Sequence, residues 1–304
     1  MKALCVLAAL LAPFAMSKAA AAADGDYIEH FDTIYNSLTV EKRGSVVELR
    51  AHARGSEALE SAVDLNNPLN LLVPYTRTLY AAMFFQPEPK RVLMIGLGGA
   101  GFHRPFAAAF PEALLQTAEL DPKVLELCET RLGWKPTAQT PVELMDGRMF
   151  VKRNREKWDW LILDAFRGGF VPPHLKTEEF YRECAARLDD RGVFVSNLHP
   201  NSQLYYSDIK TIREVFPQVI FFQTQGRGNV IAVAVKYRTP SIADDAKWPA
   251  SDELTRRLRG LVDMERVKQG RARIPEAQVA KADLLTDDFA PVEFLNAIEA
   301  GNVN

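Results

Sequence analysis

The sequence predicts an α/β protein with a doubly wound, mostly parallel seven-stranded sheet and a small N-terminal β domain. An apolar run, Val92 to Ile95, leads directly into a glycine-rich turn. The lack of polar alternation in this run is expected of a strand buried on both faces of a parallel sheet. Strands and helices then alternate, which is typical of such sheets. The last two strands flank Gly226-Arg227-Gly228 closely enough to form an antiparallel hairpin.

The predicted elements divide the chain into residues 1–23, 24–72, 73–240 and 241–304. Part 24–72 contains two short strands, 38–41 and 46–49, joined by a turn, and a looser stretch at 58–72. A helix that begins at Pro74 and extends through 79–85 opens part 73–240. The seven strands of the main sheet follow at 91–95, 114–120, 141–144, 159–163, 192–197, 219–223 and 230–235. Further helices are predicted at 102–110, 122–132, 177–188, 209–216, 252–264 and 275–282.

The first 23 residues are predicted to be a secretory signal peptide rather than part of the fold. Met1-Lys2 supplies a positive start, an apolar run follows, and several A-x-A cleavage options end near Ala23. The run is too short for a membrane span, so no span is expected after cleavage. The mature protein is therefore expected to be exported, or cytoplasmic if this segment is not a functional signal. The 37 basic and 39 acidic residues are nearly balanced, which gives no indication of a nucleic-acid partner.

The cysteines do not predict a disulfide or a metal site. Cys5 leaves with the signal, while Cys128 and Cys184 fall on helices that would cover opposite faces of the sheet. Neither has a histidine or cysteine neighbour at metal-ligand spacing. Both are interpreted as core thiols, and no metal is expected.

Acidic or glycine-rich features follow four successive predicted strands. The turn after the first strand contains Gly96, Gly98, Gly99 and Gly101 and fits the spacing G-x-G-x-x-G. Ligands of open α/β sheets bind beyond the carboxyl ends of the strands, so features at this edge are expected to lie together. The features at the ends of the second, third and fourth strands are carboxylates: Glu119, Asp146 and Asp164.

This set of groups favours a nucleoside site. The glycine turn allows the backbone to approach the ligand, and Glu119, about 20 residues further on, is placed to accept hydrogen bonds from two ribose hydroxyls. Asp146 is placed to accept from the exocyclic amine of adenine. Asp164 would face the reacting centre as an acceptor or general base.

The chain resembles the spermidine synthase-like proteins (polyamine aminopropyltransferases), whose fold is that of class I S-adenosylmethionine-dependent methyltransferases. A parallel core closed by an antiparallel pair suits that fold better than a dehydrogenase. The resemblance extends from about Asp26 to Glu293. Within the family, the motifs of this chain are most similar to those of the bacterial spermidine synthase-like branch. It rests on Tyr35-Asn36, Tyr75-Thr76-Arg77, VLMIGLGGAG at 92–101, AELDP at 118–122, DGR at 146–148, WDWLILDAF at 158–166, VPPHLKTEEFY at 171–181 and LTDDFAPVE at 285–293.

The resemblance implies roles for individual residues. Glu119 would hold the ribose, and Asp146 with Gly147 the adenine. Asp164 matches the catalytic aspartate that deprotonates an attacking amine, and Tyr75 a tyrosine beside that amine. The implied co-substrate is S-adenosylmethionine or its decarboxylated form, the implied partner is a small-molecule acceptor, and the family tends to form homodimers.

Departures from the family pattern concern the donor tail and the acceptor. Gly99 stands where the glycine loop usually carries an aspartate, which removes a contact to the amino tail of the donor. Arg77 and Arg167 replace two carboxylates of the family. Together with Tyr181, they are expected to bind the substrate. Because a guanidinium repels an ammonium and suits a carboxylate or phosphate, the arginines argue against a simple diamine acceptor.

Four functions are compatible with the sequence. Aminopropyl transfer to an amine is the family default, and methyl transfer to an acidic small molecule is the alternative within the same fold. An exported, non-catalytic binding protein is favoured by the signal peptide but opposed by the retained Glu119, Asp146 and Asp164. A nicotinamide-dependent oxidoreductase leaves Asp146 and the segment 164–181 without a role.

Overall fold

A computed structural model describes residues 25–53, 56–167, 170–239 and 242–289. The signal peptide predicted at 1–23 lies outside the described residues. Within them, the chain forms two sheets: an N-terminal antiparallel sheet of four strands and a larger mixed sheet flanked by helices. No helix in these residues is long and apolar enough to cross a membrane.

The N-terminal sheet is a meander in which each strand pairs with the next. Its strands are β1 (Tyr27–Asp32), β2 (Ser37–Arg43), β3 (Val46–Ala53) and β4 (Ser56–Asp64), paired in that order. The predicted strand 38–41 lies within β2, and the predicted strand 46–49 is the first half of β3. The interpretation of residues 58–72 as loose is wrong for 58–64, because pairing with β3 holds β4 in the sheet, with a register shift at Leu49/Arg50.

The larger sheet has the doubly wound order that the alternation of elements predicts. Its strands are β5 (Arg91–Ile95), β6 (Leu114–Glu119), β7 (Val142–Leu144), β8 (Trp158–Leu163), β9 (Leu188–Leu198), β10 (Gln218–Gln223), β11 (Val230–Val235) and β12 (Arg271–Ala272). The order is β12-β10-β11-β9-β8-β5-β6-β7, parallel from β9 to β7 and antiparallel at β10, β11 and β12. The sheet therefore has eight strands rather than the predicted seven, because two residues of the tail pair with β10.

Helices cover the sheet on both faces. They are α1 (Pro74–Thr78), continued by a 3-10 helix (Leu79–Phe84), α2 (His103–Ala109), α3 (Pro122–Thr130), α4 (Gly147–Arg153), α5 (Glu178–Arg187), α6 (Tyr205–Val215), α7 (Ser251–Arg257), α8 (Met264–Gln269) and α9 (Glu276–Lys281). Helix α4 is not predicted from the sequence. The helix predicted at 252–264 ends at Arg257, because the chain turns at Arg259 and Gly260, both of which have positive φ, and α8 begins only at Met264.

Two apolar clusters fill the opposite faces of the large sheet, and a third lies under the N-terminal sheet. Alternate residues of β5 show the division, with Val92 and Met94 in one cluster and Leu93 and Ile95 in the other. The third cluster joins β2 and β3 to α3. Cys128 belongs to this third cluster and Cys184 to the second, and both are buried free thiols.

A charged clamp holds the tail segment against α4 and α5. The Nε and Nη2 atoms of Arg148 on α4 donate hydrogen bonds to the Glu183 carboxylate. Its Nη1 and Nη2 atoms donate to the Asp287 carboxylate at 2.6 and 2.7 Å. The Thr177 hydroxyl donates to the same Asp287 carboxylate at 2.7 Å. The described part of the LTDDFAPVE motif, residues 285–289, is thereby fixed beside the loop that precedes α5.

Candidate active site

A cavity lined by residues of both sheets lies where the parallel strands end. Its empty volume, with the open mouth included, is about 880 Å³. One wall consists of the ends of β5, β6 and β8 and the loops that follow them, as expected for an open α/β sheet. The opposite wall comes from the N-terminal sheet and α1, and contributes Tyr35, Asn36, Leu38, Leu49, Ala51, Glu60 and Tyr75.

The glycine loop after β5 divides into a cavity-facing half and a packing half. Gly96 has φ +97°, and a Cβ there would overlap the carbonyl oxygen of Asp164, so only glycine fits. Gly98 also has positive φ and lines the cavity. Gly99 and Gly101 do not line it: both face Ser61 of β4, and a Cβ on Gly99 would overlap the Ser61 side chain. The prediction that these two glycines contact the cofactor is therefore corrected to a packing role.

Glu119, at the end of β6, is held by the two loops that meet there. Its Oε2 accepts a hydrogen bond from the Leu97 amide at 2.9 Å, and its Oε1 accepts from the Asp121 amide at 2.8 Å. Each oxygen keeps a lone pair for a further donor. Burial raises the pKa of Glu119, although the two backbone amides partly offset this by favouring the carboxylate. The carboxylate is thus oriented toward the cavity, ready for a pair of hydroxyl donors.

Asp146 and Gly147 lie at the start of α4. Asp146 caps this helix through the Met149 amide (2.9 Å), and its Oδ2 pairs with His174 Nε2 at 2.8 Å. Burial acts to raise the pKa of Asp146, but the hydrogen bonds from His174 and the amide together outweigh it and lower the pKa. A Cβ at Gly147 would overlap Ile95, so glycine lets α4 start against the end of β5. Asp146 is the carboxylate of the cavity best stabilised in its charged form.

Asp164 follows β8 at the opposite end of the cavity. Its Oδ1 accepts a hydrogen bond from Asn197 Nδ2 at 2.9 Å, and Asn197 is held in turn by Asn229. Burial raises the pKa of Asp164 to about 6, while Asn197 and the Tyr75 hydroxyl act in the opposite direction. A carboxylate with this pKa is charged at neutral pH yet accepts a proton more readily than a solvated one.

A further residue of this cluster, Glu60 on β4, is not predicted from the sequence. Glu60 lines the cavity, and its main-chain carbonyl accepts a hydrogen bond from the Tyr75 hydroxyl at 3.3 Å. Burial, and secondarily the charge of Asp164, raises the pKa of Glu60 to about 7. One feature of the sequence could have predicted β4. Only two residues, one of them Gly55, separate Val46–Ala53 from the next segment, and such a short connection is typical of a hairpin.

The residues predicted to bind the acceptor are not all in the cavity. Arg167 is exposed and lines its mouth. Arg77 lies in a separate groove beside Arg266, and its guanidinium donates to the Leu71 carbonyl. The side chains of residues 75 and 77 point to different sides of α1, since helical residues two apart do not share a face.

Tyr181 is also absent from the cavity. It is fully buried in the core against Phe180 and Phe194, because α5 turns this side of the helix toward the sheet. The cavity thus joins Tyr75, Gly96, Gly98, Glu119, Asp146, Gly147, Asp164 and Arg167, and leaves Arg77, Gly99, Gly101 and Tyr181 outside. Among the described residues, no group of three or more histidine, cysteine or acidic side chains is arranged to hold a metal ion.

Comparison with known proteins gives consistent matches. Residues 74–227 match the spermine/spermidine synthase domain. The chain is 28% identical over 303 residues to the polyamine aminopropyltransferase of Vibrio vulnificus, covering 95% of this chain and 96% of that protein. It is 30% identical over 231 residues to the corresponding protein of Chromobacterium violaceum, covering 75% and 85% of the two chains.

The fold itself has solved counterparts. A probable spermidine synthase from Corynebacterium glutamicum superposes with a TM-score of 0.64 at 20% identity, covering 86% of this chain and 96% of the other. At this identity the likeness concerns the fold alone.

Proposed function

The chain belongs to the spermine/spermidine synthase family, and on that premise we propose that it transfers an aminopropyl group from decarboxylated S-adenosylmethionine to a small-molecule amine. The relatives named above are polyamine aminopropyltransferases. The observation that carries the proposal in this chain is Asp164: a half-buried carboxylate with a raised pKa, at one end of a cavity whose other end suits a nucleoside.

The nucleoside end fits the donor by the chemistry of its groups. Glu119 presents both carboxylate oxygens with a lone pair free, which suits the two hydroxyls of a ribose. Asp146 is the carboxylate with a lowered pKa, which suits an amine donor such as that of adenine. Gly96 and Gly98 leave the loop without side chains where a ligand would approach.

The reaction places few chemical demands on the protein besides alignment and one proton transfer. The bound donor supplies an activated carbon attached to a sulfonium sulfur. The lone pair of the acceptor nitrogen forms the new C–N bond while the C–S bond breaks, and its electron pair stays on sulfur as a neutral thioether, methylthioadenosine. Asp164 takes the proton that the nitrogen loses. Asn197 donates a hydrogen bond to Asp164 at the end of β8, so the base is oriented before substrates bind.

A product assay tests this proposal. The protein from Asp24 onward is incubated with decarboxylated S-adenosylmethionine and a panel of amines, and the products are separated by chromatography. Aminopropyl transfer is expected to yield methylthioadenosine and the extended amine in equal amounts. Formation of S-adenosylhomocysteine from intact S-adenosylmethionine would instead indicate methyl transfer, and no product from either donor would contradict the proposed reaction.

We further propose that residues 1–23 direct export of the chain and that the mature protein self-associates. The export proposal is supported by the charged start, the apolar run and the A-x-A options of this segment. Fractionation of cells that produce the full chain, followed by mass determination of its N-terminus, tests it. Light scattering on the protein from Asp24 onward measures its oligomeric state, and a monomer at all concentrations would contradict the second proposal.

A further inference from the structure

We propose that the Glu60 carboxylate forms a subsite for a protonated primary amine, the ammonium group of a substrate that does not itself react. This subsite rests on the proposed function, because it assigns Glu60 a role within that reaction. It makes Glu60 a specificity-determining residue contributed by the N-terminal sheet.

The first support is that the carboxylate has no partner of its own. Glu60 Oε1 is buried, and no group in the described part of the chain donates a hydrogen bond to it. An unsatisfied buried carboxylate oxygen destabilises a folded protein, so its presence calls for an explanation. Because the side chain lines the cavity, a donor on a bound ligand is able to complete it.

The second support is the charge of the surroundings. Asp164 lies close enough to Glu60 for its charge to oppose ionisation, and the Tyr75 hydroxyl is held between them by the Glu60 carbonyl. Two neighbouring carboxylates attract a cation and repel an anion. Arg167, the cationic side chain that lines the cavity, is exposed at its mouth. The site therefore fits an alkylammonium and disfavours a substrate tail that bears a carboxylate.

Binding of a cation at Glu60 also has a proton signature. With a pKa of about 7, part of the Glu60 population is protonated at neutral pH. The charged groups near it are Asp164, with Glu119 and Asp146 further along the cavity and Arg167 at the mouth. A bound ammonium favours the ionised carboxylate, so the binding reaction releases a proton from Glu60 to the buffer.

Two substrates carry an ammonium that does not react. One is the propylammonium tail of the decarboxylated donor, and the other is the far end of a diamine acceptor. Because the chemistry recognised is the same, the two sources are separated by experiment. Methylthioadenosine lacks the propylammonium of the donor, and butylamine lacks the second amine of 1,4-diaminobutane, so each serves as a matched probe.

The experiment compares wild type with Glu60→Gln, which keeps the shape and removes the charge. Glu60→Asp keeps the charge, and Glu57→Gln on the same strand, where the side chain is exposed, is the control. Calorimetric titrations with decarboxylated S-adenosylmethionine and methylthioadenosine are run in two buffers of different ionisation enthalpy. Steady-state KM values are measured for butylamine and 1,4-diaminobutane.

If the donor tail occupies the subsite, Glu60→Gln weakens binding of the decarboxylated donor by about tenfold or more, the effect of one hydrogen bond to a charged group. Methylthioadenosine binding stays unchanged, and proton release falls only in the donor titration. If the acceptor occupies it, donor binding is unchanged and KM rises about tenfold for the diamine but not for butylamine. In both cases Glu60→Asp retains part of the preference, and Glu57→Gln behaves as wild type.

Equal losses for a substrate and its matched probe would show a structural role for Glu60 and overturn the subsite. No change in any of the four measurements would overturn it as well. These outcomes are read in a protein that turns over, so they leave the proposed function standing. A wild-type protein that forms no methylthioadenosine with any amine would instead overturn the proposed function, and the subsite with it.

Discussion

Replacing Asp164 with asparagine removes the proton acceptor of the proposed reaction while keeping the size of the side chain and its contact with Asn197. Loss of a positioned general base lowers rates by roughly 10²- to 10⁴-fold. The change therefore lowers kcat by at least about 100-fold in the methylthioadenosine assay. Binding of methylthioadenosine itself is expected to persist, because it depends on the other end of the cavity.

The same substitution has the opposite effect on stability. Burial raises the pKa of Asp164 from 3.8 to about 6, so the folded protein binds this proton more tightly than the unfolded chain does. The free energy of unfolding therefore falls as pH rises from about 4 to about 6, and the loss is complete above that window. A shift of about two pKa units corresponds to roughly 3 kcal/mol, an upper bound for the gain in Asp164→Asn at pH 8.

Urea unfolding at pH 4 and pH 8 measures the second effect, and the pH dependence of kcat/KM measures the first. In wild type, kcat/KM rises with pH through an apparent value near 6 that belongs to Asp164 together with the neighbouring Glu60. Asp159→Asn is the control, since Asp159 binds the Lys90 and Arg91 amides at the opposite end of β8. A kcat within threefold of wild type in Asp164→Asn, or a flat profile from pH 5 to 8, would refute the assignment of the base.

Three further predictions follow from the cavity and the loop beneath it. Glu119→Gln removes the charge that accepts from the ribose and is expected to weaken methylthioadenosine binding about tenfold, measured calorimetrically; unchanged affinity would contradict its role. Gly99→Ala places a methyl group against Ser61 and lowers the free energy of unfolding by about 1–3 kcal/mol, and Ser61→Gly in the same chain restores it if the overlap is the cause. Arg77→Ala, whose guanidinium contacts the Leu71 carbonyl outside the cavity, leaves KM for the acceptor unchanged, whereas a higher KM would return Arg77 to the substrate site.

The fold and the nucleoside end of the cavity were predictable because their signals are local. A buried strand followed by glycines specifies both the turn and its place at the sheet edge, and the next strands each end in a carboxylate. Glu119, Asp146 and Asp164 therefore come together as soon as the strand order is known. The eight-stranded count was not predictable, since β12 is only two residues long and exists through pairing with β10.

The acceptor end depends on packing that a local pattern does not reveal. Residues 58–64 contain alanine, serine and glutamate, which have little strand preference, and only pairing with β3 makes them a strand that carries Glu60 to the cavity. Arg77 was assigned by its position next to Tyr75, but the helix directs it into another groove. Tyr181 lies in a motif with many aromatic residues, and its helix face, rather than the motif, determines that it is buried.

The contact between Ser61 and the glycine loop bears on how this protein is divided into modules. The boundary predicted between residues 72 and 73 lies between the last strand of the small sheet and the first strand of the large one, and the matched family domain begins at residue 74. Yet the N-terminal sheet supplies one wall of the cavity, and Asn36 and Thr33 donate hydrogen bonds to Asp121, two residues after Glu119. Exchange of the small sheet for that of a relative is therefore expected to change which substrates are accepted, while Asp164 stays in place. Substrate specificity in this chain thus depends on both sheets together.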